Sequence, residues 1–134
     1  MTPDPKPVKK KGRQAITDKR LLALWREAVI ERAGHRCEYP ECTVKATQLQ
    51  AHHFYTKRIV PLRYDIENGL CLCAYHHTLG AYAAHKDPDF KRIILESGVR
   101  TEEWADSLIE KKQQTVKNTP AFKLICLEKI KLYL

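Results

Sequence analysis

The chain has 134 residues, enough for one domain of ordinary size or a smaller one carrying arms. Hydrophobic residues make up 43% and charged residues 30%, so most of the chain should fold around a core, and the lack of any run of about eighteen apolar residues excludes a transmembrane helix. The net charge of +8 is uneven: residues 1–20 hold Lys6, Lys9, Lys10, Lys11, Arg13, Lys19 and Arg20 against only Asp4 and Asp18.

The opening MTPDPKPVKKKGRQ is basic but has no apolar h-region, so it does not read as a secretory signal. The five cysteines then point to metal binding or burial rather than disulfides, and the expected location is the cytoplasm. Residues 1–16, rich in proline and lysine, cannot bury enough surface to order themselves. They read either as a solubilising tail or as a polyanion-binding arm, and charge alone does not separate nucleic acid from an anionic membrane.

In chain order, Thr17 or Asp18 caps a helix through LLALWREAVIERA that stops at Gly34, giving an N-terminal helical segment over 17–34. Leu22, Trp25 and Val29 share its core face, with Leu21, Leu24 and Ala28 beside it. Residues 35–47, with His35, Cys37, Pro40 and Cys42, form a compact turn. A short strand covers 48–54, a loop rich in basic and aromatic residues 55–67, and a second strand 69–73. Residues 74–85 are helical in composition, weakened by Gly80. Asp87-Pro88 opens a helix ending near Gly98, Thr101 caps another through Trp104 and Leu108, and Thr119-Pro120 opens the last. The class is α+β with a small hairpin.

Cys37-x4-Cys42 and Cys73-x2-His76 are two short chelating pairs, one on each side of that hairpin. Folding the hairpin brings them together as four N/S ligands, the set a tetrahedral zinc takes. Cys71 competes for a place, because a strand sends it to the same side as Cys73. Cys126 sits on the apolar face of the last helix with Phe122, Ile130 and Tyr133 and reads as core. His52, His53 and His77 are left without a structural task. Neighbouring strand residues point to opposite faces, so His52 and His53 cannot serve one metal from a regular strand. One can bind a cation while the other activates water, the division of labour in metal-assisted hydrolysis.

His52-His53 on a strand, Asn68, and then Cys73-x2-His76-His77 resemble the HNH motif of the ββα-metal (His-Me finger) endonucleases, over roughly residues 35–85. The resemblance implies a small zinc-stapled ββα-metal module over 35–86, and the expected fold flanks it with the N-terminal helix and a helical region over 87–134 packed on it. The helices after residue 86 lie outside the resemblance and carry no motif; they read as completing the fold, dimerising or gripping DNA. The resemblance also implies that His53 is the general base, Asn68 fixes the loop, and His52 and His77 hold a catalytic divalent ion, Mg²⁺ or another such as Mn²⁺. The zinc at Cys37, Cys42, Cys73 and His76 would be structural. The family usually has Asp before the base. His52 there is similar to colicin-type nucleases, and a neutral ligand favours softer divalent ions over Mg²⁺.

The stretch HHFYTKRIVPLRYDIENGLCLCAYHH looks most like phage recombination endonucleases of the NinG/Rap type. The expected activity is hydrolysis of DNA phosphodiester bonds to 5′-phosphate and 3′-hydroxyl ends, in phage or prophage DNA recombination or processing inside a bacterial host cell. Lys57, Arg58 and Arg63 are placed to clamp the phosphate, while Tyr55 and Tyr64 either stack or pack. His85 lies about 12 Å beyond His77 if the helix is continuous. It is read as a phosphate contact or surface residue, and joins a metal only if Gly80 breaks the helix. The alternatives are a non-catalytic zinc module that binds nucleic acid and a toxin-type nuclease. No membrane partner is expected, and the apolar last helix leaves a dimer open.

Overall fold

The computed structural model describes residues 16–43 and 48–134. Except for Ile16, the expected basic arm lies outside the described residues, as do residues 44–47 of the turn.

Two antiparallel strands, β1 (Leu49–His53) and β2 (Gly69–Cys73), form the centre. Their register sets His52 opposite Leu70 and His53 opposite Gly69. Every residue of β2 is buried, because helices cover both faces of the hairpin. On one face lie α1 (Asp18–Arg32) and α5 (Pro120–Lys131), whose Leu21, Trp25, Val29, Cys126 and Ile130 enclose Cys71. On the other lie α3 (Phe90–Ser97) and α4 (Glu102–Lys112), whose Phe90, Ile94, Trp104 and Leu108 enclose Leu70 and Leu72. Alternation along β2 therefore feeds two cores, and both are completed by helices outside residues 35–86. The molecule is a small α+β fold.

The helix starts follow from local chemistry. Thr17, Thr101 and Thr119 each accept a hydrogen bond from the backbone N–H three residues on, at 3.1 Å. These bonds satisfy donors that a helix leaves unpaired at its start. The buried face of α1 is Leu21, Trp25, Ala28 and Val29, with the expected Leu22 only partly covered. Asp87 does not open α3. Its Oδ1 accepts from the Asp89 N–H at 2.9 Å in a turn, and the helix begins at Phe90. Gly98 ends α3 in the left-handed region at φ 78°. Among the described residues no helix is long and apolar enough to cross a membrane.

Gly69 is where α1 meets the hairpin. A Cβ built there would lie 2.3 Å from a Val29 methyl and 3.0 Å from the Trp25 ring. Only a residue without a side chain lets the helix come this close.

The loop between the strands carries the short helix α2 (Val60–Arg63) and a 3₁₀ turn, Ile66–Asn68. Asn68, fully buried, ties it together. Its Oδ1 accepts from the Tyr55 N–H at 2.8 Å, and its Nδ2 donates to Tyr55 O at 2.9 Å and Leu62 O at 3.2 Å. One amide thus closes both ends of the loop.

The segment after β2 departs from the expected helix over 74–85. Tyr75–Leu79 form a single π turn, and the chain leaves it at Gly80 in extended conformation. Gly80 lies beneath the Tyr75 ring, where a Cβ would stand 2.6 Å from it. The backbone then folds back: the Ala84 N–H donates to His76 O at 2.8 Å and the His85 N–H to His77 O at 3.1 Å.

Candidate functional site

Two clusters of metal-ligating side chains flank the π turn. In the first, the ligand atoms of Cys37, Cys42, Cys73 and His76 all lie within 4.8 Å of one another. Nδ1 of His76 is 3.3 Å from Cys73 Sγ and 3.6 Å from Cys37 Sγ. A tetrahedral ion with Zn–S near 2.3 Å and Zn–N near 2.0–2.1 Å would set those separations at about 3.5 Å. The four residues fit zinc, and the cluster could hold such an ion.

Tertiary contacts hold the Cys37 turn in place. The Glu38 N–H donates to Cys71 O at 2.7 Å and Glu38 Oε1 accepts from the Cys71 N–H at 3.0 Å, fastening the turn to the free edge of β2. Tyr39 stacks on the His76 ring at 4.1 Å. Burial pushes the Cys37 thiol up to about 12, and a bound cation would reverse that by displacing the proton. Cys71 lies in the core against α1 rather than in the cluster, and Cys126 is also core.

The second cluster is His52, His77 and His85, with ligand nitrogens again within 4.8 Å. The chain reversal at Gly80 brings His85 here: its Nε2 is 2.9 Å from His77 Nε2, not a dozen ångströms up a helix. The His77 Nδ1–H donates to Gln50 Oε1, which leaves the Nε2 lone pair free to meet a cation. Without one, the two facing nitrogens must share a proton. Two ligand bonds of about 2.0–2.1 Å span about 2.9 Å at the right angle of an octahedral ion and about 3.3 Å at the tetrahedral angle. The separation therefore suits a common ion in octahedral geometry, and tetrahedral zinc would need the two rings roughly a few tenths of an ångström further apart. Three neutral imidazoles and no carboxylate suit zinc or another borderline divalent ion. They lend no support to the Mg²⁺ implied by the resemblance, a hard cation that prefers oxygen. Burial, then repulsion from His77 and His85, pushes His52 down to about 3. Burial and His85 also lower His77.

His53 points the other way from β1, as strand parity requires. Its ring stacks on Trp25 at 3.8 Å, and its Nε2 lies 2.9 Å from Arg63 O. A carbonyl can only accept, so Nε2 carries the proton and Nδ1 keeps its lone pair. Burial holds His53 down to about 4, helped by Arg26, Lys57 and Arg63 and opposed by the carbonyl bond, so the ring is neutral at pH 7.

His52, His53, His77 and His85 all line one open cleft of about 680 Å³. Of the loop cations expected at phosphate, Lys57 lines it. Arg63 donates from Nε to Lys57 O at 2.7 Å and braces the loop, while Arg58 is exposed outside the cleft. Tyr64 packs, with its hydroxyl donating to Asp18 at 2.9 Å, whereas the Tyr55 ring has the ammonium groups of Lys91 and Lys112 at 4.7 Å and 4.9 Å from its centre. His35 sits in a surface turn beside Glu31.

Sequence reasoning does not single out Gln50, Arg26 or Lys91 for this site. Gln50 carries a usable signal, because it shares strand parity with His52. Arg26 on α1 and Lys91 on α3 reach the cleft only through helix packing, and no spacing announces them. Comparison with family models, curated proteins and solved structures found no match to this chain.

Proposed function

We propose that the chain is a metal-dependent DNA endonuclease of the ββα-metal kind, with a structural zinc at Cys37, Cys42, Cys73 and His76. The observation that carries this reading is the pairing, in one cleft, of His53 with a three-imidazole cluster. A ring held neutral, with one nitrogen engaged by a carbonyl and the other free, is equipped to accept a proton from water. His52, His77 and His85 would hold the divalent ion, which when bound supplies charge stabilisation to a phosphate undergoing in-line displacement.

In this scheme Trp25 and the Arg63 carbonyl restrict the His53 ring to one orientation and one tautomer. Gln50 does the same for His77. Asn68 holds the loop that presents Arg63 O, so it acts through His53 and not on the substrate. The proton taken from water rests on His53 Nδ1, where nearby Arg26 and Lys57 disfavour a lasting charge and promote its return to solvent. A role in phage or prophage DNA processing agrees with the motif and belongs to the same proposal.

The test is nicking of supercoiled plasmid by zinc-loaded protein with added Mn²⁺, Co²⁺, Ni²⁺, Zn²⁺ or Mg²⁺. Activity should depend on the added ion and be weakest with Mg²⁺. His53→Ala should remove it, with zinc content and the circular dichroism spectrum retained, while His35→Ala should not. General-base assistance contributes typically 10²–10⁴-fold, so the loss should be unmistakable. No nicking by the wild type with any ion, or full nicking by a folded His53→Ala protein, would sink the reading.

A further inference from the structure

Three cations line the cleft: Arg26 of α1, Lys57 of the loop and Lys91 of α3. Among the described residues, none forms an ion pair. Asp87, the carboxylate on the rim, has Oδ1 engaged with the Asp89 N–H. The cations stand on two sides. Arg26 follows Trp25, which stacks on His53, whereas Lys91 follows Phe90, which meets the His52 ring edge-on at 5.5 Å.

Lys91 has a companion. Its Nζ lies 4.7 Å from the centre of the Tyr55 ring and 5.7 Å from that of Phe54, and Lys112 Nζ of α4 lies 4.9 Å from the same Tyr55 ring. Each ammonium gains from the ring. Two of them on one ring repel each other, and no carboxylate partner for either is present among the described residues. An anion bound near both relieves that repulsion, and a chain of anions continuing across the cleft would reach Arg26 and Lys57.

We propose that this cleft grips one strand of nucleic acid from both sides, with Lys91 and Lys112 on Tyr55 holding phosphates beside His52, and Arg26 and Lys57 holding those beside His53. The proposal rests on the nuclease reading and deepens it, making α1, α3 and α4 substrate-binding elements. A phosphodiester strand suits the shape, because Arg26, Lys57 and Lys91 line a concave cleft that a flat lipid surface cannot enter. Lys112 stands beyond that lining, at the Tyr55 ring it shares with Lys91. The cation–π seat on Tyr55 restrains Lys91 and Lys112 before substrate arrives, which lowers the ordering cost of binding.

The measurement is fluorescence anisotropy of a labelled duplex without added divalent ion, repeated across salt concentrations. Removing one cation that neutralises a phosphate should flatten the plot of log K against log salt by about 0.9. Lys91→Gln and Arg26→Gln should each do so, and the double variant by about 1.8. Arg92→Gln should match the wild type, because Arg92 is exposed on the same helix but paired with Asp89 and Glu96. Thermal melts would show that the glutamine variants remain folded. Wild-type slopes in both single variants would overturn the grip, and continued nicking by the wild type would leave the nuclease reading standing. Failure of the wild type both to bind and to cut would remove both.

Discussion

Asn68→Asp tests how the loop beneath the site is held. The change keeps the shape and the acceptor facing the Tyr55 N–H at 2.8 Å. It removes the two donors that serve Tyr55 O at 2.9 Å and Leu62 O at 3.2 Å, and sets a carboxylate against both carbonyls. Asn68 is fully buried, so water cannot replace the missing bonds. Each broken bond with a stranded partner costs about 1–3 kcal/mol, and together they should cost about 3–5 kcal/mol. That is a large share of the 5–15 kcal/mol typical of a domain.

Burial and the facing carbonyls favour the protonated acid, so the introduced group should have a raised folded-state pKa. Its penalty is then greatest at high pH and shrinks as pH falls towards 5, because the neutral acid can donate one bond again. Urea unfolding at pH 8 and pH 5, followed by tryptophan fluorescence, measures both effects. Both tryptophans report on this loop, since Trp25 Nε1 donates to Asp65 O at 2.9 Å and Trp104 Nε1 to Glu67 O at 2.7 Å. A loss below about 1 kcal/mol at pH 8, within the range of a single ordinary hydrogen bond, would refute the reasoning. So would a loss that does not change with pH.

Other perturbations probe other parts of the fold. Purified protein should hold one zinc through dialysis, Cys73→Ala should lose it and aggregate or melt earlier, and Cys126→Ala should retain it; elemental analysis with melting curves decides. Gly69→Ala should cost about 1–3 kcal/mol or more in chemical denaturation, because the new methyl would overlap Val29 at 2.3 Å, and a neutral result would mean that α1 can yield. Asp18, bonded to Lys123, Asn118 and Tyr64, has a folded pKa of about 2, below its unfolded value near 3.8, so its stabilisation is present above about pH 4 and lost as pH falls towards 2. Asp18→Asn should therefore weaken the protein at pH 7, by no more than about 1 kcal/mol for so exposed a carboxylate, and match the wild type near pH 2. His85→Ala should weaken Co²⁺ or Ni²⁺ binding at the three-imidazole cluster while leaving the Cys37–Cys73 zinc in place; unchanged affinity in a titration would exclude His85 as a ligand.

Short-range chemistry is readable in the chain itself. The two chelating pairs, the three threonine caps and the opposite orientations of His52 and His53 all depend on spacings of a few residues, where backbone periodicity decides direction. Longer-range features are not readable, and the reasons are specific. His85 joins His52 and His77 because backbone bonds from Ala84 and His85 back to His76 and His77 replace the helix that local composition favours. Cys71 shares a strand face with Cys73 yet lies in the core, because α1 covers its side chain, while the thiols of Cys37 and Cys42 gather at Cys73 at the end of β2. Arg26 and Lys91 enter the cleft because α1 and α3 close on opposite faces of the hairpin. Such placements follow from which surfaces pack together, a property of the whole chain that no local spacing encodes.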